Sequence, residues 1–417
     1  MKKKGLIIGI IIGILIMAIL ATALLLFIRN RNKPINYNDK SEDGTFSTSF
    51  IRTSHKFTNK KNYMVSPYSV EIALSMLREG SKGQTLTEIE KVCPERSIKT
   101  LAVKDKVNVA NALFIKNIYK DDVRADYMKT LKDDYNAEFL YDEFRTPDVI
   151  NNWANKETNG MIKKVVSNID REFVLGLANA VAMEETWQDE FQCESIRKEE
   201  FTKTDGKKID VAMLSKTYDS TAAYYEDENS KAIVIPYKMY DRKTGKETDK
   251  DGEQLEFIGI LPNDIDKYVS SINLDTIKKI DKEKRIANED TLSIYLQLPK
   301  YKYSYDFKQF KNALIDMGIR SVFGKADLSN MIDNHPDLFV NEAVHKTYVE
   351  VDEKGTKAAA VTYFGTKDNA MAPSEKEYVE IKFDKPFVFI IKDTKSNELL
   401  FFGVVYEPSK YEKPNCK

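Results

Sequence analysis

The stretch from Glu350 to Thr362 reads Glu-Val-Asp-Glu-Lys-Gly-Thr-Lys-Ala-Ala-Ala-Val-Thr. A strand-like run, Phe339 to Val351, feeds the glycine at 355, and a tract of small residues with threonines at 356 and 362 follows. Small and β-branched residues on alternating positions slot into a sheet with little steric cost. Yet the tract lies between two polar segments, as an exposed loop would. A loop with the side-chain pattern of a buried strand is a segment with two homes.

The flanking chain can supply the sheet. Val70–Leu77 and Val149–Asn155 carry apolar residues at helical spacing. Phe173–Met183, Leu292–Leu298, Tyr378–Phe383, Phe387–Ile391 and Leu399–Val405 read as strands, so the expectation is one mixed α+β domain. The polar island Tyr240–Gln254, between apolar runs, reads as a solvated hairpin loop. There is no internal repeat.

At 417 residues, with 42% hydrophobic and 31% charged content, the chain holds an ample core. Its net charge is −1, but the first 33 residues carry six positive side chains, which leaves −7 for the remainder. An acidic body argues against nucleic acid or heparin as a partner. Residues 5–28 form an uncharged apolar run of 24, preceded by three lysines. As a helix it spans about 36 Å, enough to cross a bilayer. The reading is an uncleaved signal anchor over residues 1–28 and a polar tether over 29–44. A folded domain follows over 45–409, with a short tail over 410–417. The alternative is a signal cleaved near Ala21-Thr22-Ala23.

Catalytic patterns are absent. The chain has no Gly-x-Ser-x-Gly, His-Glu-x-x-His, phosphate loop, dinucleotide fingerprint or Cys-x-x-Cys. Three histidines (His55, His335, His345) offer little for a metal site. Cys93, Cys193 and Cys416, odd in number and widely spaced, give no disulfide framework and read as free thiols. No cofactor, metal or catalytic residue is expected.

A set of ordered blocks identifies the chain by resemblance. Tyr63–Ser69 leads into Ala73–Leu77 and Gly80–Thr85. Asn111–Phe114, Ile150–Trp153 with Glu157–Ile162, and Leu177–Asn179 with Trp187 come next. Leu298-Pro299-Lys300, Ala326–Ser329, Ala343–Lys346, Phe383–Ile391 and Phe402-Gly403 complete the order. Together these blocks, over about 360 residues, resemble the serpin family of protease inhibitors.

The resemblance implies a three-sheet α+β fold with about eight to nine helices, a five-stranded central sheet and an exposed reactive-centre loop. It implies an inhibitor rather than an enzyme. A protease attacks the loop, an acyl-enzyme forms, and the loop inserts as an extra strand that drags the protease with it; loop insertion in this family is a known case of strand addition. The hinge residues carried over are Glu353, Gly355, Thr356, Ala358, Ala359, Ala360 and Thr362. Inward-facing positions from Thr356 to Thr366 include no charge and no proline. Lys354 and Lys357 stand where the family usually has acidic residues.

The same resemblance places Ser66, Ser69, Asn179 and His345 beneath the sheet where its strands part, and Trp187 and Lys300 at the top. Glu353 is expected beside Lys300. Family loop length puts the scissile bond between Asn369 and Ala370, with Lys367 and Met371 as alternatives. Lysine would suit a trypsin-like serine protease, asparagine an asparaginyl cysteine protease. The expected partner is therefore a serine or cysteine protease met outside the cell, with the inhibitor held on the membrane or secreted. A non-inhibitory binding protein or chaperone is the other reading.

Overall fold

The computed structural model describes residues 45–94, 106–250, 252–341, 343–356 and 376–416. Eight α-helices and three sheet layers lie among them. The apolar run 5–28, the tether 29–44, hinge residues Ala358, Ala359, Ala360 and Thr362, and the bond region Lys367, Asn369, Ala370 and Met371 lie outside the described residues. Among the described residues no helix is long and apolar enough to cross a membrane.

A seven-stranded sheet is built around Leu399–Val405, Phe387–Asp393, Leu255–Pro262 and Ser230–Pro236. Its strands are apolar on both faces because both are covered. Phe387, Phe389 and Ile391 point into one core, which also takes in Val349 and Val351. Val388 and Ile390 point into the other, with Phe50, Val70 and Leu74. The first core joins this sheet to the central one; the second joins it to the helices.

Five long strands make the central layer: Val107–Lys116, Glu138–Asp142, Leu175–Met183, Tyr301–Asp306 and Lys346–Val351. They form two separate ladders. Val107–Lys116 lies between Glu138–Asp142 and Leu175–Met183, while Tyr301–Asp306 pairs with Lys346–Val351. No ladder joins Leu175–Met183 to Lys346–Val351 among the described residues. A smaller four-stranded sheet contains Glu377–Lys382, where the chain resumes after the loop.

Helix Pro67–Glu79 starts beneath the parted strands. Ser66 caps it, its hydroxyl accepting from the Ser69 N–H at 3.2 Å, and Pro67 occupies the first turn, where its missing N–H costs nothing. The expected helix Val149–Asn155 is Asp148–Glu157. The 240–254 loop does join two paired strands, but Tyr240 is buried and bridges Glu247 and Glu253 within it.

Two sequence readings need correction. The strand read over Phe339–Val351 is only Lys346–Val351, because its neighbour Tyr301–Asp306 runs out at Asp306. Upstream, Val340 N–H bonds the Val322 carbonyl and Asn341 reaches Asp170. The cysteines are not all free thiols: Cys193 and Cys416 form a disulfide, with Cα atoms 5.6 Å apart. The tail that carries Cys416 is laid against Asp210 and Lys300, which brings the two sulfurs together.

Candidate functional site

Between the parted strands lies a cleft of about 740 Å³. Asn179 and its neighbours on Leu175–Met183 form one wall, and His345 to Thr347 the other. Ser66 and Ser69 lie at its floor, and Trp153 lines the opposite side. Four of the residues expected in the opening region are thus gathered in one space.

His345 and the Asn179 amide nitrogen are bonded to their own side of the gap. His345 Nε2 accepts from the Ser66 N–H at 3.0 Å, which fixes that nitrogen as the unprotonated one. Burial holds the His345 imidazole down, at about 4. Asn179 donates to Asn111 Oδ1 at 2.8 Å, and Asn111 donates to the Tyr135 carbonyl. Asn179 Oδ1 and Trp153 Nε1 are buried with no hydrogen-bond partner among the described residues. Such groups carry a penalty that an incoming chain can relieve.

The hinge lies at the C-terminal ends of the two strands that flank the cleft. After Val351 the chain turns, with Asp352 Oδ1 accepting from the N–H groups of Lys354 (2.9 Å) and Gly355 (3.2 Å). Gly355–Thr356 then pairs antiparallel with Val351 on one side and Glu185–Thr186 on the other. Two residues of the two-home segment are therefore already seated as a strand. Thr356 is only 5% exposed, and its hydroxyl meets the Tyr237 hydroxyl at 2.7 Å.

Trp187 lies at 0% exposure directly beside the turn. Its Nε1–H donates to the Asp352 carbonyl at 3.0 Å and its backbone N–H to the Lys354 carbonyl at 2.9 Å. The ring stacks on Tyr237, centroids 4.6 Å apart. Lys300 Nζ meets Glu353 Oε2 at 2.6 Å, the pair expected from position. Burial raises the Glu353 carboxyl, but the Lys300 contact outweighs it and leaves the group below its ordinary value. Asp352 goes the other way, raised by burial against its two N–H bonds. Lys354 is half-buried, not fully at the surface.

Three partners of the hinge were not foreseen. Tyr237 sits at a strand end with no motif to mark it. Glu185 pairs with Thr356; burial pushes its carboxyl up to about 8, with Lys106 opposing, and its Oε2 has no partner among the described residues. Phe191 donates its N–H to the Glu353 carbonyl at 2.9 Å. A pair of adjacent glutamates before a tryptophan was the only available signal for Glu185.

A family model described as serpin (serine protease inhibitor) matches residues 41–408. An uncharacterised serpin-like protein of Thermococcus kodakarensis is 30% identical over 84% of this chain and 82% of its own. Leukocyte elastase inhibitor of Bos taurus is 27% identical over 87% of this chain and 97% of its own. The thermophilic serpin tengpin in its native state superposes with a TM-score of 0.73 at 27% identity, covering 90% of this chain and 97% of that one. The latent state of the same relative gives 0.68. With its central sheet, its hinge and nearly its whole described length matched in this way, the chain belongs to the serpin family.

Proposed function

We propose that this protein is a suicide-type inhibitor that arrests a serine protease as a covalent acyl complex. The observation that carries the reading is the seated start of the hinge above an unpaired cleft. Gly355 and Thr356 run antiparallel to both neighbours, the direction in which every later loop residue would continue. The inner edges of Leu175–Met183 and Lys346–Val351 have no ladder between them among the described residues, so an entering strand gains hydrogen bonds on both sides.

In the proposed sequence the protease hydroxyl attacks the carbonyl carbon of Asn369. An ester forms and the amine of Ala370 leaves. The freed chain then zips into the cleft from Thr356, carrying the ester and the protease with it. The inhibitor supplies no nucleophile of its own. Lys367 or Met371 as the attacked residue would select a different protease by the same route.

The test is incubation with a panel that includes trypsin-like, elastase-like and asparaginyl proteases. The expected result is a complex that survives a denaturing gel, with one new loop terminus found by mass spectrometry. Cleavage with no stable complex across the panel would favour the non-inhibitory reading.

We further propose that the domain faces the outside of the cell on an uncleaved anchor at residues 5–28. The Cys193–Cys416 bond supports an oxidising compartment. The protein should stay with membranes through a carbonate wash; soluble protein beginning near Leu24 would contradict the anchor.

A further inference from the structure

The residues that hold the hinge are closed into a ring by one covalent bond. Trp187 and Phe191 bond the carbonyls of Lys354 and Glu353, each at 2.9 Å. Two residues beyond Phe191, Cys193 is bonded to Cys416, 223 positions away in the chain. The tail leading to Cys416 is fixed in turn: Tyr411 N–H bonds the Asp210 carbonyl at 2.8 Å and Ser409 N–H bonds the Lys300 carbonyl at 3.2 Å. Lys300 returns to Glu353 through its ammonium group. The path Glu353, Phe191, Cys193, Cys416, Ser409, Lys300 thus comes back to Glu353.

We propose that the Cys193–Cys416 disulfide makes the C-terminal tail a redox-releasable strap on the residues that hold the hinge, one that slows premature loop insertion. The proposal rests on the insertion reading above. Trp187 and Phe191 follow Glu185–Thr186, and the carbonyls they bond follow Lys346–Val351, so these bonds fix the spacing of the two strands between which the loop has to enter. The stretch of Trp187 and Phe191 has other anchors, Ser195 Oγ on the Ser215 carbonyl (2.8 Å) and Lys216 Nζ on Asp189 (2.5 Å), but these are exchangeable contacts. Only the disulfide ties it covalently to the tail. A restraint present in the native state and released on the way to insertion acts on the rate of conversion.

The chemistry balances with a dithiol as reductant. Cys416 is exposed. A thiolate of the dithiol attacks the Cys416 sulfur, and Cys193 leaves as a thiolate and takes up a proton. The second thiol resolves the mixed disulfide and frees Cys416. Two electrons and two protons pass to the protein, and the dithiol becomes a disulfide.

The full-length oxidised protein is held just below its melting temperature, with and without dithiothreitol. Conversion is followed as loss of the native band and growth of heat-resistant monomer. Reduction should speed conversion about tenfold, equivalent to about 1.4 kcal/mol on the barrier. Cys416→Ser should convert at the fast rate and ignore the reductant. Equal rates with and without dithiothreitol overturn the strap, as does an equal fall in melting temperature of native and cleaved forms at an unchanged conversion rate. If Cys416→Ser fails to fold, reduction of the folded parent, mapped by alkylation to Cys193 and Cys416, decides alone. Failure of the insertion reading shows separately, as oxidised protein that gains no heat resistance when its loop is cut.

Discussion

Gly355 lies against the carbonyl of Glu185 so closely that a Cβ built on it would stand 2.1 Å from that oxygen and 2.7 Å from the Thr186 Cα. Both obstacles are backbone, so neither can swing aside. The absence of a side chain at 355 is what lets the hinge start its strand. Gly355→Ala should therefore unseat Gly355–Thr356 at a cost of about 1–3 kcal/mol, typical of overpacking. The variant should be cleaved by the target protease with a smaller fraction trapped as complex. Densitometry of complex against cleaved product at equal molar ratio checks this, and an unchanged ratio would contradict it.

Lys300 and Glu353 are partly buried, which puts their pairing between a surface bridge and a buried one, about 1–3 kcal/mol. Glu353→Lys sets two ammonium groups against each other beside the hinge. It should open the sheet on mild warming and give polymers on a native gel at temperatures where the parent stays monomeric. Because the Glu353 carboxyl lies below its ordinary value, the pair's contribution is present above the usual carboxylate range and fades as pH falls through it. A monomeric, equally heat-resistant variant would mean that the pair does not hold the sheet.

Two buried groups bracket the pH range of the native state. His345 is depressed from 6.5 to about 4, so its stabilisation is complete above 6.5 and is lost as pH falls toward 4, by about 2 kcal/mol at pH 5. Protonation of Nε2 would also remove the acceptor for Ser66 N–H. Glu185 is raised from 4.5 to about 8, so stability falls as pH rises through that window and a buried charge appears above it. The two effects oppose each other between pH 4.5 and 6.5, so melting temperatures should be nearly level there and fall from about 6.5 to about 8. Glu185→Gln should remove the alkaline fall and uncover a rise in stability from pH 4.5 to 6.5 that belongs to His345; an unaltered profile would contradict the assignment.

Thr356→Arg places a charge at a buried strand position whose hydroxyl now meets Tyr237. Burying an unpaired charge costs more than the strand gains. The variant should turn from inhibitor into substrate, cleaved and released with no complex on a denaturing gel. A complex yield equal to the parent's would place the start of insertion elsewhere.

Much of this architecture was legible in the chain. Leu399–Val405 and Leu292–Pro299 are runs of strand-favouring residues bounded by polar turns, and they fold within a residue of the expected limits. Gly355 and Thr356 announced themselves by the contrast between small alternating residues and polar flanks. The Lys300–Glu353 pair followed from family position. Other features depend on geometry that periodicity does not encode. Leu175–Met183 and Lys346–Val351 have the same residue pattern whether paired or parted. Cys193 and Cys416 meet only because Ser409 and Tyr411 lay the tail along Lys300 and Asp210. Tyr237 contributes one hydroxyl from a strand end nearly 120 residues before Thr356. The strand read from Phe339 failed because alternation continued beyond the end of its partner at Asp306.

The central claim is that the native form is kinetically trapped, with a more stable inserted form available. Extending the strand from Thr356 to Asn369 would lay down roughly 45 Å of chain at about 3.3 Å per residue. It would satisfy both open edges of the cleft. The direct measurement is the melting temperature of the intact protein beside that of protein cut once near Asn369. A sharp rise after cutting, although a covalent bond has been lost, is the predicted result. Equal melting temperatures for the two forms would contradict the account.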